Sequence, residues 1–430
     1  MKAALLAGTH SGCGKTTLTL ALLQYFRQHR HNILAFKAGP DFLDPLWHRA
    51  VTGKPSYNLD TRMMGEAACR KRLGQLADRA EFALIEGVMG LFDGYSGVGG
   101  EGSSLDLARV VGCPVILAVD AGGMSGTIAA VVMGFHQLAG QKGVRLAGVI
   151  ANKVGSEYHA ALLKEALEAY HLPPLLGWMQ RSEKTLAERH LGLKMPDEAA
   201  IPDYSATLHI DQEALLQAFS EVPPVAPLIP DQPQLAGRTI AIAKDNACCF
   251  IYPANLDWLK SHGAKTVFFS PIAGERVPEE ADAVWLPGGY PELHAEQLSR
   301  SASWDSLRDC ADAGMPILAE CGGAMLLGKA LVDLNGRHWP MAGIFPYVSV
   351  MQPHLAALGY REEASGVKGH EFHFSTREQD QGLGPAFDVL TGDKGVRYRN
   401  VRASYVHWLF SDDQDQVVNW FGAQKEDLRV

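Results

Sequence analysis

Short, nearly uninterrupted apolar runs alternate along this chain with longer amphipathic segments. The runs are too continuous for half-exposed strands, so they read as strands covered on both faces, with the amphipathic segments as the helices that cover them. In the first half the expected strands are Ala3–Ala7, Ile33–Lys37, Phe82–Ile85, Val115–Asp120 and Leu146–Ala151. In the second they are Thr239–Ala243, Thr266–Phe269, Ala283–Leu286 and Pro316–Ala319. This alternation predicts an α/β fold with two doubly wound parallel-sheet domains, whose ligands gather at the carboxyl ends of the strands. Between the halves, residues 218–236 hold five prolines, too many for a helix or an inner strand. The expected organisation is one domain over 1–217, a linker over 218–236 and a second domain over 237–430.

Composition narrows the partners. Hydrophobic residues make up 47% and charged residues 20% of the 430, an ordinary globular balance that excludes a disordered tail protein. Lys plus Arg total 39 against 48 Asp plus Glu, a net charge of -9, which argues against nucleic acid as the main partner. No apolar run approaches the roughly 18–20 residues of a membrane span, so no membrane partner is expected. The apolar start at Met1–Ala7 leads straight into a glycine-rich loop and reads as a first strand, not a signal peptide. Seven scattered cysteines with no C-x-x-C pair fit a reducing cytoplasm.

The first strand leads into Gly8-Thr9-His10-Ser11-Gly12-Cys13-Gly14-Lys15-Thr16-Thr17 and then an amphipathic segment over Leu18–Arg27. Gly12 and Gly14 let backbone N–H groups turn toward phosphate oxygens. Lys15 supplies a charge, the Thr16 hydroxyl can hold Mg²⁺, and Thr17 lies in the positive first turn of the helix. This predicts an ATP-type triphosphate site, although the loop is one residue longer than the strict G-x4-G-K-T form. The second strand ends in Lys37 through Pro45, with Asp41 and Asp44; the third ends in Glu86 through Gly94, with Asp93. Carboxylates after apolar strands are where Mg²⁺ ligands belong in phosphate-loop enzymes, and a helix cap is the alternative for each one singly. Asn152, at the close of the fifth strand, either reads a nucleotide base or caps a turn.

In the second half, Pro316 through Leu327 reads as strand, sharp turn and helix with Cys321 at the apex. That setting suits a nucleophile, and the helix start is expected to lower the thiol pKa. Its base is sought among His370, His373 and His407, with His407 favoured by its late position after a strand-like run. His370 and His373 do not form H-E-x-x-H, so no metal site is expected there. Backbone N–H groups of Gly289 and Gly322 could form an oxyanion hole.

With these motifs in view, the chain resembles the cobyrinic acid a,c-diamide synthase family of cobalamin biosynthesis. The resemblance is carried by Gly8-Thr9 with Ser11 through Thr17, Lys37 through Pro45, Glu86 through Gly94 and Glu188 through Leu193. It continues in Leu286 through Glu292, Ala319 through Gly323, Gly369 through His373 and Ala403 through His407. It implies a dethiobiotin-synthetase-like P-loop ATP domain joined to a class I glutamine amidotransferase domain. It also implies a C–N ligase that uses ATP, Mg²⁺ and L-glutamine to amidate the a and c acetate side chains of cobyrinic acid. In that picture Lys15 and Lys37 neutralise phosphate, and Thr16, Asp44 and Glu86 hold Mg²⁺. Asp41 and Asp93 position the reacting carboxylate or its acyl phosphate, Cys321 forms a glutamyl thioester, and His407 activates it.

Two departures stand out. Class I glutaminases usually carry His-x-Glu, whereas Leu409 follows His407 by two; and Ala319 stands where many have glycine. A Cys–His dyad that stays slow until substrate and nucleotide bind is the expectation. Hydrogenobyrinic acid and nickel-sirohydrochlorin remain open as the ring, and homo-oligomerisation stays open too. A non-enzymatic nucleotide switch is the distant alternative. Chromosome-partition ATPases place a lysine where this chain has His10, and a switch has no use for the cysteine elbow.

Overall fold

The computed structural model describes all residues except 96–99, 182–187, 190–191, 194, 197–199, 227–232, 381, 412–414 and 423–430. The chain divides into two compact units, Met1–Pro227 and Leu228–Val430. Among the described residues no helix is long and apolar enough to cross a membrane.

The first unit is built on β1 (Lys2–Gly8), β2 (Ile33–Ala38), β3 (Tyr57–Leu59), β4 (Phe82–Gly90), β5 (Val115–Asp120), β6 (Leu146–Val154) and β7 (Leu175–Gln180). β8 (Glu188–Arg189) and β9 (Gly192–Leu193) pair antiparallel by themselves; His190 and Leu191 of that motif lie outside the described residues. β10 (Leu208–Ile210) and β11 (Ser220–Glu221) complete the main sheet, in the order β10-β7-β6-β5-β1-β4-β2-β3 with β11 beside β1. β1 to β7 run parallel, whereas β10 and β11 are antiparallel to their neighbours. Because β1 sits centrally, its carboxyl end opens where the sheet's connections diverge to either side, the usual ligand position in such sheets.

All but the first residue of β1 are buried, as are all of β2, since helices cover both faces. One of these, α1 (Lys15–Gln28), places Leu18, Leu22 and Phe26 in a core with Ile33, Leu84 and Ile116. Another, α2 (Leu43–Thr52), turns Asp44, Trp47, His48 and Val51 inward, the i, i+3, i+4, i+7 spacing of a single face. Of the proline-rich stretch, Phe219 packs in this first core and Leu235 packs in a core of the second unit. Residues 227–232 of it lie outside the described residues.

The strand positions follow the apolar runs, but two ends differ. β4 continues to Gly90, four residues past Glu86, and β6 to Val154. Glu86 therefore sits inside the sheet, opposite Leu6 on one side and Lys37 on the other. Polar residues within these strands serve the site rather than end the strand.

The second unit has a six-stranded sheet. Its parallel strands, in spatial order, are Lys265–Phe269, Thr239–Ala243, Ala283–Leu286, Ile317–Glu320 and Val401–Ser404, with Val396–Tyr398 antiparallel at the edge. A three-stranded antiparallel sheet joins Ala357–Glu362, Lys368–His373 and Val406–Leu409. Val406 and Trp408 bury into a core with Trp258, Trp285 and Trp420. Cys321 directly follows the parallel strand Ile317–Glu320, and His407 lies just past its neighbour Val401–Ser404, within the antiparallel strand Val406–Leu409.

Candidate active sites

In the first unit, the phosphate loop is shaped by two left-handed glycines, Gly12 (φ 84°) and Gly14 (φ 93°). The second is also crowded. A Cβ on Gly14 would lie 2.1 Å from the Asn152 amide nitrogen, so only glycine fits. Asn152 is buried and works on the loop itself. Its Nδ2 donates to the Cys13 carbonyl at 3.0 Å and its Oδ1 accepts from the Lys153 N–H at 2.9 Å. The side chain expected to read a base or cap a turn thus ties β6 to the loop.

Gly14 caps α1, whose first turn carries no acidic residue, so its free N–H groups face the loop with their positive potential intact. Lys15 is buried there, and burial lowers its pKa. Thr16 and Thr17 follow, half-buried.

Thr16 Oγ1 donates to Glu86 Oε1 at 2.6 Å and reaches Asp44 Oδ1 at 3.4 Å. Lys37 Nζ lies 2.5 Å from Asp44 Oδ2 and 3.2 Å from Glu86 Oε1, and donates to the Gly87 carbonyl. Glu86 is fully buried. Burial opposes its charge, but Lys37, His48 and Thr16 hold its pKa well below the usual range. Burial and the nearby Glu86 charge push Asp44 up to about 8, against Lys37. For Lys37, burial would lower the pKa, but Asp44, Glu86 and Asp41 outweigh it. Two carboxylate oxygens meet at the Thr16 hydroxyl, and these three hard oxygen donors fit Mg²⁺, which takes few protein ligands and keeps its waters.

Asp41 and Asp93 stand at the same edge, each with one oxygen on the backbone. Asp41 Oδ2 accepts from the Asp44 N–H and Asp93 Oδ2 from the Gly90 N–H, both at 2.8 Å. Two residues were missed by sequence reading. Buried Asn58 donates to the carbonyls of Gly39 and Asp41, holding the loop that carries Asp41. Buried His48 bonds Glu86 Oε2 at 2.7 Å through Nε2 and Ser56 Oγ at 2.9 Å through Nδ1. The one signal for His48 was its position four residues after Asp44, on the same helical face.

In the second unit, Cys321 adopts φ 46° and ψ −110°, the strained elbow expected of it. Its N–H donates to the Ser404 carbonyl at 2.7 Å, locking the elbow to the neighbouring strand. The thiol departs from expectation. Burial pushes its pKa up, and the carboxylates of Glu292, Glu320 and Glu371 add to the rise against the Gly322 N–H. The helix that follows, Gly322–Leu327, is too short and too buried to offset them.

His407 and Cys321 flank one glycine. A Cβ on Gly288 would lie 2.2 Å from His407 Cε1, 3.0 Å from its Nδ1 and 3.2 Å from Cys321 Cβ. Burial, with His370 and His373 nearby, lowers the His407 pKa to about 3. The resting pair is neutral thiol and neutral imidazole. Gly289 and Gly322 also converge, since a Cβ on Gly322 would lie 2.9 Å from the Gly289 nitrogen.

The other histidines separate by geometry. His373 has both ring nitrogens engaged, with Glu371 Oε1 at 2.9 Å and the Ser375 carbonyl at 2.7 Å, and it stacks on Tyr405. His370 lies opposite His407 across the antiparallel pair. Leu409 is buried in the second unit, and buried Glu320 accepts from the Trp408 N–H at 3.4 Å. Among the described residues no group of three or more His, Cys, Asp and Glu is placed to hold a metal.

Residues 4–193 match the CobQ/CobB/MinD/ParA nucleotide binding domain family, and residues 239–415 the CobB/CobQ-like glutamine amidotransferase domain family. The chain is 42% identical to the cobyrinate a,c-diamide synthase of Herminiimonas arsenicoxydans, over 86% of this chain and 84% of that one. It is 38% identical to the cobyrinate a,c-diamide synthase of Salmonella typhimurium, over 99% and 98%. It is 37% identical to the hydrogenobyrinate a,c-diamide synthase of Brucella suis, over 95% and 98%.

Proposed function

The chain belongs to the cobyrinate a,c-diamide synthase family, and from that premise we propose how its two sites divide the work of a glutamine-dependent amide ligase. In this reading residues 1–217 activate the acid with ATP, residues 237–430 release ammonia from glutamine, and 218–236 join them. The carrying observation is the meeting of Thr16, Asp44, Glu86 and Lys37 beside the phosphate loop.

Lys15, the α1 N-terminus and the N–H groups of Gly12 and Gly14 would hold the ATP phosphates, with Thr17 in the same turn. Asn152 would keep that loop in shape. Mg²⁺, held by Thr16, Asp44 and Glu86, would neutralise charge on the transferring phosphate. Lys37 supports that neutralisation. Asp41 and Asp93 would place the substrate carboxylate for in-line attack on the γ-phosphorus. The acyl phosphate that forms, with ADP released, is then displaced by ammonia, giving the amide and inorganic phosphate.

At the second site the Cys321 sulfur would attack the glutamine carboxamide while His407 takes the thiol proton. The N–H groups of Gly289 and Gly322 would stabilise the tetrahedral oxyanion. His407 returns the proton to the departing nitrogen, leaving a γ-glutamyl thioester and ammonia, and water hydrolyses the thioester to glutamate. Neutral Cys321 and His407 at rest support a glutaminase that idles until ligands rearrange the site.

The ring is the a,c-diacid of cobyrinic acid, or of its metal-free counterpart, since relatives bearing either name match to similar extents. Nickel-sirohydrochlorin is the third candidate from the sequence. Mass spectrometry tests the whole reading: protein, MgATP and glutamine are incubated with each ring in separate tubes. Two ATP-dependent acid-to-amide shifts in one tube are expected. ATP hydrolysis with no shift in any tube overturns it.

A further inference from the structure

Glu86 spends its two oxygens on different partners. Oε1 receives the Thr16 hydroxyl and the Lys37 ammonium, and Oε2 receives His48 Nε2. Only the first oxygen faces the phosphate loop. His48 has no exposed surface, so it cannot touch nucleotide or acid substrate and can act only through what it holds.

What it holds is set from both ends. Ser56 lies on the far side of the ring, 2.9 Å from Nδ1, and the Thr52 hydroxyl donates to the His48 carbonyl. A carboxylate only accepts, so Nε2 carries the proton that faces Glu86, and the Ser56 hydroxyl, able to donate or accept, serves Nδ1. Asp44 and His48 are four residues apart on α2, so the same helical face brings one carboxylate to the cluster and braces the other. An unbraced buried glutamate has several rotamers, and a carboxylate that must turn to meet a cation pays for that ordering.

We propose that His48 is a positioning residue which pins Glu86 through Oε2, keeping Oε1 turned toward Thr16 as a preset ligand for the divalent cation. This rests on the metal reading of Thr16, Asp44 and Glu86 given above. A cation held by Thr16, Asp44 and Glu86 would take Oε1, the oxygen that now accepts from Thr16 and Lys37, while Oε2 would keep its bond from His48. The brace therefore acts before the cation binds and after. Residues that orient a metal ligand in this way typically govern affinity tenfold or more.

The test uses full-length protein with Mn²⁺ as the probe, free Mn²⁺ being counted by electron paramagnetic resonance with and without ADP. Wild-type protein should bind Mn²⁺ in an ADP-dependent manner. His48→Ala should weaken that binding about tenfold. His48→Gln, whose amide N–H can reach the same oxygen, should restore most of the loss, and Ser56→Ala should weaken binding by a smaller factor. In metal-free wild-type protein, the nitrogen resonances of His48 should show a proton held on Nε2.

No ADP-dependent Mn²⁺ binding by the wild type would overturn the metal reading itself. Normal wild-type binding with His48→Ala unchanged, or with folded His48→Gln no better than His48→Ala, would overturn the brace and leave a packing role. A ring protonated on Nδ1 alone would overturn it as well. If His48→Ala does not fold, the Gln and Ser56 variants and the resonances decide.

Discussion

Thr16 Oγ1 stands 2.6 Å from Glu86 Oε1, although 70 residues separate them in the chain. β1 and β4 are parallel neighbours, so the loop after the first starts where the second still runs. The hydroxyl is aimed at the carboxylate before any ligand arrives, which is the arrangement that makes the first unit a place for phosphate chemistry.

The two sites should separate genetically. Cys321→Ala should lower glutamine-dependent amidation by about three orders of magnitude or more while ammonium-supported amidation persists. Lys15→Ala should stop amidation from either nitrogen source. Product mass with each source checks both, and loss of both activities in Cys321→Ala would sink the division of labour.

Gly288→Ala should act as a selective lesion of the second site. The new methyl group would meet His407 Cε1 at 2.2 Å, so the imidazole must move. A displacement on the order of 1 Å costs about a hundredfold in rate. Glutamine turnover should fall by that factor, with ammonium-supported amidation kept, as steady-state assays of each would report.

Asn152→Ala removes the bond to the Cys13 carbonyl. A buried group left unsatisfied costs about 1–3 kcal/mol, so the KM for ATP should rise roughly tenfold or more. If the amide acts through the loop, the KM for GTP rises in proportion. A changed ATP-to-GTP ratio would mean that Asn152 touches the base.

Acid should weaken the second unit. The folded pKa of His407, about 3, lies below its ordinary 6.5, and that of His370, about 4, does likewise. Between those values the unfolded chain binds more protons than the folded one, so stability rises with pH. This contribution is complete above about pH 6.5 and is lost as pH falls through 4 toward 3, at up to about 1.4 kcal/mol per pH unit for one such group. Unfolding midpoints measured from pH 7 to 4 should fall, and His407→Gln should flatten the slope. An unchanged slope in that variant would remove His407 from the acid limb.

Contiguous features were legible in the sequence. The strand cores, the phosphate loop and the Cys321 elbow are each written within about a dozen residues, where local backbone preference and burial act on neighbours. Where a strand would stop was less legible. Glu86 looks like a strand end because it is charged, but Lys37, Thr16 and His48 satisfy it and β4 runs on. His48 and Asn58 were missed because a lone histidine or asparagine says nothing until its partners are known.

The Cys321 thiol shows the limit most clearly. Its elbow follows from the residues on either side, yet its acidity does not. Burial raises the thiol pKa most, and Glu292 and Glu371, brought in from distant parts of the chain, add to the rise with the adjacent Glu320. The sequence by itself determined the two α/β units, the phosphate loop and the cysteine elbow, because these depend on neighbours along the chain. The tertiary structure decided which carboxylates share a lysine, which histidine meets the thiol and how each group titrates. Those are matters of distance and burial between residues far apart in the chain, and such distances exist only once the sheets have formed.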